Sequence, residues 1–394
     1  MSQDIYIVSG ARTAIGEFGE SLKDFTPTQL GAIVAKEAIK RAEIDAAEVE
    51  HSVFGTVIPT EAADLFLGRT VAIEAGAPDE CQGLTVNRLC GSGVQSIVSA
   101  AQMMKMGDAS ITIAGGAESM SRSPFSISGM RFGTRMGNSV AYDWLTNTLS
   151  DPFGYGHMGE TAENVAEHCG IARDRQDAYA VESHRRAAAA ISNGRFKEQI
   201  VPVAIKRRKE TILFDTDEHV RADASIADLA KLRPAFRKDG SVTAGNASGI
   251  NDGAAAVVLM TGDQVARRNA RPLGRIVSWG LAGVPARIMG IGPVKAVPVA
   301  LARAGIRIED LDVIESNEAF AVQALSVIDG LKLPVDKVNP NGGAVALGHP
   351  LGATGTILTI KALYELQRIG GRYGLITMCI GGGQGIAMVV ERTA

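Results

Sequence analysis

The sequence predicts a layered α/β fold made of two similar halves with an irregular segment inserted between them. Three observations predict it. Apolar strand-like runs alternate with amphipathic helical runs toward both ends of the chain. Two stretches near the start recur near the end at almost the same offset. From about residue 120 to residue 250 the alternation gives way to a Met-, Ser- and Arg-rich texture.

Each element follows from local pattern. Ile5-Tyr6-Ile7-Val8 reads as a first strand running toward a glycine turn. Between Gly91 and Gly107, residues Val94, Ile97, Val98, Ala101 and Met104 recur at helical spacing, and Gly107 ends the run. Ser110–Ala114 follows as a short strand closed by Gly115-Gly116. Thr356–Ile369 repeats the pattern, with Lys361, Glu365 and Arg368 on one polar face and Gly370-Gly371 as the stop. Leu375–Met378 is then a strand leading into Cys379 and a glycine-rich turn. Laying Gly107–Ala117 on Gly371–Gly381 gives an offset of 264 (371 − 107), and laying Ala42–Gly55 on Ala304–Asn317 gives 262 (304 − 42). Two segments at nearly one offset point to an internal duplication about a pseudo-two-fold axis. In the middle, Arg173–Asn193 reads as a helix turning Ala178, Val181, Ala188 and Ile191 toward a core. So long an insertion is read as a substrate-binding excursion or, second, as an oligomerisation arm.

Composition narrows the function. The 394 residues carry a net charge of −3, without the basic excess of nucleic-acid binders. No apolar run reaches the roughly 18–20 residues of a membrane span. Met1–Gly16 lacks the charged and apolar regions of a signal peptide, and Glu391–Ala394 is no peroxisomal address. A cytoplasmic, reducing location is the expectation, with no nucleic-acid or membrane partner. The four cysteines lack CxxC spacing, so no metal site is expected. The basic run Lys206–Lys209 reads as a solvated loop, or as a contact for an anionic ligand or subunit.

Four segments carry residues suited to chemistry. Cys90, in Asn87-Arg88-Leu89-Cys90-Gly91-Ser92-Gly93, stands just before a helix, whose N–H groups and dipole favour a thiolate. A lone cysteine is more often a packing residue, so this one needs a base. His349, held between Gly348 and Pro350 before the second helix, is that candidate, and the duplication places its turn opposite the Cys90 turn. Cys379 ends a strand and leads into Gly381-Gly382-Gly383, whose N–H groups suit a developing oxyanion. This turn fails the dinucleotide pattern, because Ile386 stands where its third glycine belongs. Asn317, in Ser316-Asn317-Glu318-Ala319-Phe320, is either a helix N-cap or an amide that anchors a water or orients His349.

Together these segments closely resemble the signatures of thiolases. The resemblance extends to Ser9–Thr13, Gly115–Met120, His157-Met158-Gly159 and Thr243–Gly249, in the family's order along nearly the whole chain. It implies the thiolase fold, an α-β-α-β-α layering of two duplicated halves. Residues 1–119, completed by about 250–270, form one half and 271–394 the other, with a coenzyme A-holding loop domain at 120–249. It also implies ping-pong acyl transfer without a cofactor, CoA being substrate and product. Cys90 would carry the acyl group and His349 would take its proton. Cys379 would remove an α-proton in a Claisen condensation. One oxyanion hole would use His349 and a water on Asn317, the other the N–H groups of Cys90 and Gly381. CoA would contact Leu149, His157, Met158, Arg221, Phe236, Ala244, Ser248, Ala319 and Phe320, with Met158 and Phe320 at the acyl group and Arg221 near the adenine. Asp228 stands where biosynthetic relatives often have serine and is assigned no contact. Cys81 and Cys169 match no motif and are read as packing residues. The expected product is acetoacetyl-CoA, in a homotetramer whose arm carries the basic run. A broader 3-oxoacyl-CoA thiolase is the nearest alternative and a non-catalytic CoA- or lipid-binding member of the fold the more distant one. A ketoacyl synthase or a cysteine hydrolase would not need Cys379.

Overall fold

The computed structural model describes residues 4–208 and 210–393. Residues Met1–Gln3 of the amino-terminal reading, Lys209 of the basic run and the final Ala394 lie outside them.

The N-terminal half opens with β1 (Ile5–Arg12) and the short β2 (Gly16–Glu17). Helix α1 (Pro27–Arg41) follows, started by a Thr26/Gln29 capping box and Pro27 in its first turn. Then come β3 (His51–Gly55), α2 (Leu67–Glu74), β4 (Gln82–Val86), α3 (Ser92–Met106) and β5 (Ile111–Ser119). Gly107, left-handed at φ 89°, terminates α3 as its sequence position predicts. The loop domain contributes two hairpins, β6 (Phe125–Ile127) with β7 (Ala141–Asp143) and β8 (Val203–Lys206) with β9 (Thr211–Phe214). Its helices are α4 (Trp144–Thr148), α5 (Met158–Cys169), α6 (Arg173–Ser192) and α7 (Ile226–Leu229). The chain then returns to the first half through β10 (Asn251–Thr261) and α8 (Gly262–Arg268). The C-terminal half runs β11 (Gly274–Gly283), α9 (Gly292–Ala304), β12 (Leu311–Ser316), α10 (Ala321–Leu331), α11 (Ala344–Leu347), α12 (Leu351–Ile369), β13 (Tyr373–Ile380) and β14 (Gln384–Arg392).

The strand order, β12-β13-β14-β11-β1-β10-β5-β3-β4, makes the duplication visible. Read outward from the β1–β11 junction, each half is two antiparallel pairings followed by a parallel one. Within the sheet, the described residues join the halves through two residue pairs, Tyr6–Arg275 and Ile7–Gly274. Strand β4 has no full counterpart; in the second half its place is taken by a single parallel bridge between Ile314 and Val338. Helix α1 covers the outer face of β1, β10 and β5, and α9 that of β11 and β14, while α3 and α12 pack together and reach strands of both halves. The two latter helices therefore form the shared middle layer, and α12 is buried on every side from Leu351 to Leu363.

Three details differ from the sequence reading. The bulges after Ile7 and Ile276, followed outward through the ladders, put equivalent strands 262 residues apart (374 − 112; 313 − 51), as the upstream match gives, not 264. Glycine pairs misled the alignment: Gly115 and Gly116 do not close β5 but lie inside it. A Cβ on Gly116 would fall 1.9 Å from the Gly352 carbonyl oxygen and one on Gly115 2.3 Å from that of Ala255. Of the polar stripe of α12, Lys361 and Glu365 face inward and Arg368 is exposed; Lys361 Nζ bonds Glu315 Oε2 and the Gly342 carbonyl oxygen, each at 2.7 Å. On α6 the buried face is Gln176, Asp177, Ala180, Ser183, His184, Ala187 and Ala190, one residue round from the apolar stripe expected, and Ala178 is exposed. This helix docks by hydrogen bonds, Asp177 to Asn246 and Ser183 to Glu318, which apolar periodicity does not register.

Candidate active site

The crossing of α3 and α12 decides where the reactive groups stand. Gly93 and Gly355 face each other there: a Cβ on Gly93 would lie 2.7 Å from the Thr356 nitrogen and one on Gly355 2.3 Å from that of Val94. Backbone meets backbone, and Thr356 Oγ1 donates to the Gly93 carbonyl at 3.1 Å. The residues just before each helix, Cys90 and His349, are thereby brought to the wall of one cavity. The turn ahead of Cys90 places Leu89 at φ 47°, a left-handed conformation that costs a β-carbon-bearing residue about 1–3 kcal/mol. It is held there by the Leu89 N–H donating to Asn87 Oδ1 (2.9 Å) and by Ser92 Oγ donating to the Leu89 carbonyl (2.7 Å).

Hydrogen bonding fixes the imidazole. Thr354 Oγ1 donates to the Pro350 carbonyl at 3.0 Å, so its oxygen is left to accept from His349 Nδ1 at 2.7 Å. The proton of neutral His349 then sits on Nδ1, and the Nε2 lone pair faces Asn317 Nδ2 at 3.3 Å. The His349 backbone N–H donates to Asn251 Oδ1 at 2.9 Å. Asn317 therefore bonds the His349 ring and is no helix cap, since α10 begins only after Phe320. Its Oδ1 is buried without a hydrogen-bond partner among the described residues.

Burial acts on acid and base in opposite directions. It pushes the Cys90 thiol up to about 11, outweighing the N–H groups of Gly381 and Cys90 itself, which favour the thiolate. The thiolate expected from the helix terminus alone is thus not the resting form. Burial also lowers His349 to about 4, leaving a neutral base. Cys379, fully buried one residue before the end of β13, is pushed well above the usual thiol range, first by burial and then by the negative charge a Cys90 thiolate would carry. The glycine turn after it is tight: Gly382 and Gly383 have φ of 78° and 87°, and a Cβ on Gly383 would lie 2.2 Å from the Val284 carbonyl oxygen. A Cβ on Gly381 would touch Met158 Sδ and Leu89, so its backbone borders the same space.

The cavity measures about 870 Å³. Besides Cys90 and His349, its walls include Leu149, His157, Met158, Arg221, Phe236, Ala244, Ser248, Ala319 and Phe320, every position carried over for CoA. Aromatic rings form one wall: His157 stacks on Phe236 at 4.9 Å, and Phe236 meets Phe320 edge-on at 6.2 Å. His157 also caps α5 by accepting the Gly159 N–H at Nδ1 (3.1 Å). Gly159 is required because a Cβ there would lie 2.2 Å from the Phe236 ring. Asp228, left unassigned from sequence, is on the wall as well. Met120, Met289, Val345 and Leu351 complete the apolar end.

Several groups escaped sequence reasoning. Thr354, in the first turn of α12, sits five residues after His349, a closeness in sequence that could have drawn notice. His184 and His219 stack at 6.5 Å on the cavity wall, with Glu17 Oε1 accepting from Arg221 at 3.3 Å and lying 2.9 Å from His219 Nδ1; their separation in sequence hides them. Cys169 is exposed rather than packed, whereas Cys81 is buried. The described part of the basic run forms an exposed hairpin end away from the cavity walls. Among the described residues no cluster of three or more His, Cys, Asp or Glu could hold a metal ion, and no helix is long and apolar enough to cross a membrane.

Known proteins match this architecture end to end. The family described as "Thiolase, N-terminal domain" matches residues 5–263 and "Thiolase, C-terminal domain" residues 270–392. The chain is 57% identical over 393 residues to a protein of Cupriavidus necator named beta-ketothiolase BktB, covering 100% of each. It is 48% identical over 391 residues to an acetyl-CoA acetyltransferase of Chromobacterium violaceum, covering 99% of this chain and 100% of that one. The crystal structure of human mitochondrial 3-ketoacyl-CoA thiolase in complex with CoA superposes with a TM-score of 0.96 at 42% identity, covering 99% of this chain and 98% of that one.

Proposed function

The chain belongs to the thiolase family, and from that premise we propose that it is an acetyl-CoA C-acetyltransferase, converting two acetyl-CoA to acetoacetyl-CoA and CoA and running the same steps in reverse. The observation that carries this reading is the Cys90 thiol and the neutral His349 imidazole on the wall of one cavity, with the buried Cys379 thiol in the apolar cluster of Met158, Met289 and Phe320 that also borders it.

In the first half-reaction Cys90 attacks the acyl carbon while His349 Nε2 takes the thiol proton. The tetrahedral oxygen is met by the N–H groups of Cys90 and Gly381, each such donor being worth roughly 10²–10³ in rate. The departing CoA sulfur leaves with the proton of the Cys379 thiol, so that acyl-Cys90, a Cys379 thiolate and a His349 protonated on Nε2 remain. In the second, the Cys379 thiolate takes an α-proton from acetyl-CoA, the enolate carbon attacks the acyl group, and Cys90 leaves with the proton returned by His349 Nε2. The enolate oxygen lies between His349 and a water on Asn317; the buried, unpaired Asn317 Oδ1 supports such a water. The resting protonation suits cleavage directly. Cys379, kept as a thiol by burial, hands its proton to the enolate carbon freed when Cys90 attacks the 3-oxo group.

A second reading, a broader-range 3-oxoacyl-CoA thiolase, is favoured by the methionines Met120, Met158 and Met289 on the cavity wall, which adapt to different chain lengths. Thiolysis of C4, C5, C6 and C8 3-oxoacyl-CoA with free CoA separates the two. Activity that peaks at C4 and collapses by C6 supports the acetyltransferase, comparable rates through C8 support the broader enzyme, and no turnover at any length refutes both. We further propose a cytoplasmic homotetramer. Its arm would be the β6–β7 hairpin rather than the basic run: Phe125, Phe132, Met136 and Trp144 expose large apolar side chains there. A dimeric mass by light scattering would refute it.

A further inference from the structure

Glu118 is a fully buried carboxylate that the steps above leave unused. It stands one residue before the end of β5. Its Oε1 accepts the Ile58 N–H at 3.0 Å, its Oε2 accepts those of Val57 at 3.0 Å and Gly352 at 2.7 Å, and Thr56 Oγ1 donates at 3.3 Å. These donors belong to two separate parts of the site. Val57 and Ile58 follow β3, and the Val57 carbonyl accepts Asn87 Nδ2 at 3.2 Å, bracing the turn that carries Cys90. Gly352 lies in the first turn of α12, three residues beyond His349. The fit is close: a Cβ on Gly352 would fall 2.8 Å from Glu118 Oε2 and 2.8 Å from Thr56 Cα. A carboxylate at that helix terminus is also favoured by the helix dipole.

The duplication sets this position apart. At the ladder offset of 262 (380 − 118), Glu118 occupies in the first half the place that Ile380 holds in the second. Ile380 packs at the start of α3, where a Cβ on Gly91 would fall 2.6 Å from it, as Glu118 meets Gly352 at the start of α12. One copy of the position meets the start of the other half's helix with an apolar side chain; the other meets it with a carboxylate.

We infer that Glu118 is a positioning residue that sets the separation of Cys90 from His349 by clamping the first turn of α12 to the loop that braces the Cys90 turn. The inference rests on the reading of Cys90 and His349 as nucleophile and base. Burial holds the carboxyl up at about 7 against the pull of its N–H donors, and its charge in turn disfavours the Cys90 thiolate. Losing the charge therefore makes Cys90 more acidic while releasing His349 from its place. A general loosening of the core does not produce that pair of opposite effects.

The test uses full-length Glu118→Gln and Asn87→Ala, which cuts the same strut at its far end. Single-turnover acetylation by acetyl-CoA, KM for acetyl-CoA, and iodoacetamide alkylation of Cys90 at pH 8 are measured. In Glu118→Gln, acetylation is expected to fall about 10²-fold, the loss typical of a misplacement on the order of 1 Å, with KM unchanged and alkylation faster than in wild type. Asn87→Ala is expected to lose about tenfold in acetylation, again with KM unchanged; should Glu118→Gln not fold, this variant decides alone. Wild-type acetylation in the variants, or a parallel fall of acetylation and alkylation in Glu118→Gln, overturns the inference. A wild-type protein that no acyl-CoA acetylates refutes the thiolase chemistry instead, whatever the variants do.

Discussion

The turn before α3 and the turn before α12 hold equivalent places in the two halves, yet one presents a thiol and the other an imidazole. Both use a left-handed residue immediately ahead of the reactive group, Leu89 at φ 47° and Gly348 at φ 105°. The means differ. Leu89 is pinned by local bonds from its own turn, whereas Gly348 is obligatory because a Cβ there would lie 2.5 Å from the Asn251 side chain, part of the other half. The Cys90 turn is thus shaped mainly from within and the His349 turn from across the interface. The shared environment teaches more than the difference in shape. The same desolvation raises the thiol and lowers the imidazole, so one physical effect acting on two chemical types leaves both neutral at rest.

The sharpest way to break this pairing is to remove the sulfur. Cys90→Ser should abolish covalent labelling by acetyl-CoA and cut turnover by about 10⁴-fold or more; retained labelling would move the acyl site elsewhere. Cys379→Ser should still form the acyl-enzyme but lose about 10²–10⁴-fold in condensation, the range for a lost general base. Condensation at the wild-type rate would deny Cys379 its part. The protonation argument is checked by iodoacetamide alkylation of Cys90 in the free enzyme. With the thiol near 11 and the imidazole near 4, the rate should climb about tenfold per pH unit from pH 7 to pH 9 as thiolate forms. A rate that levels below pH 8 would mean a thiolate–imidazolium pair at rest. The smallest effect is expected from Thr354→Val, which frees Nδ1 and lets the tautomer relax. It should lower kcat about tenfold, the worth of one ordinary hydrogen bond, with KM unchanged. An unchanged kcat would show that Asn317 alone orients the ring.

Legibility in the sequence followed the range of the interactions. Gly107 and Gly370 announce the helix ends because a left-handed cap is a local demand. The reactive turns could be read because glycine, proline and a reactive side chain stand together within a few residues. The upstream match had the strand offset right, and the second missed it by two residues, since Gly115 and Gly116 answer to Ala255 and Gly352 far away rather than to a turn. The inward faces of α6 and α12 were obscured for a related reason: Asp177, Ser183, Lys361 and Glu365 are buried through polar partners, and hydropathy counts such residues as surface. Glu118 stood out only within the Gly115–Met120 resemblance, with no role to assign, and His184 and His219 gave no local sign, because their partners lie tens to hundreds of residues away.

The glycine-on-glycine crossing of α3 and α12 has an evolutionary side. Because peptide groups, not side chains, set the spacing there, the reacting geometry does not depend on which hydrophobic residues fill the surrounding core. The walls that measure the substrate are hung mostly on other segments, Met158 on α5 and Phe236 and Ala244 in the loop domain. Substrate range can therefore drift in a lineage by exchange of wall residues, while the chemistry is inherited unaltered.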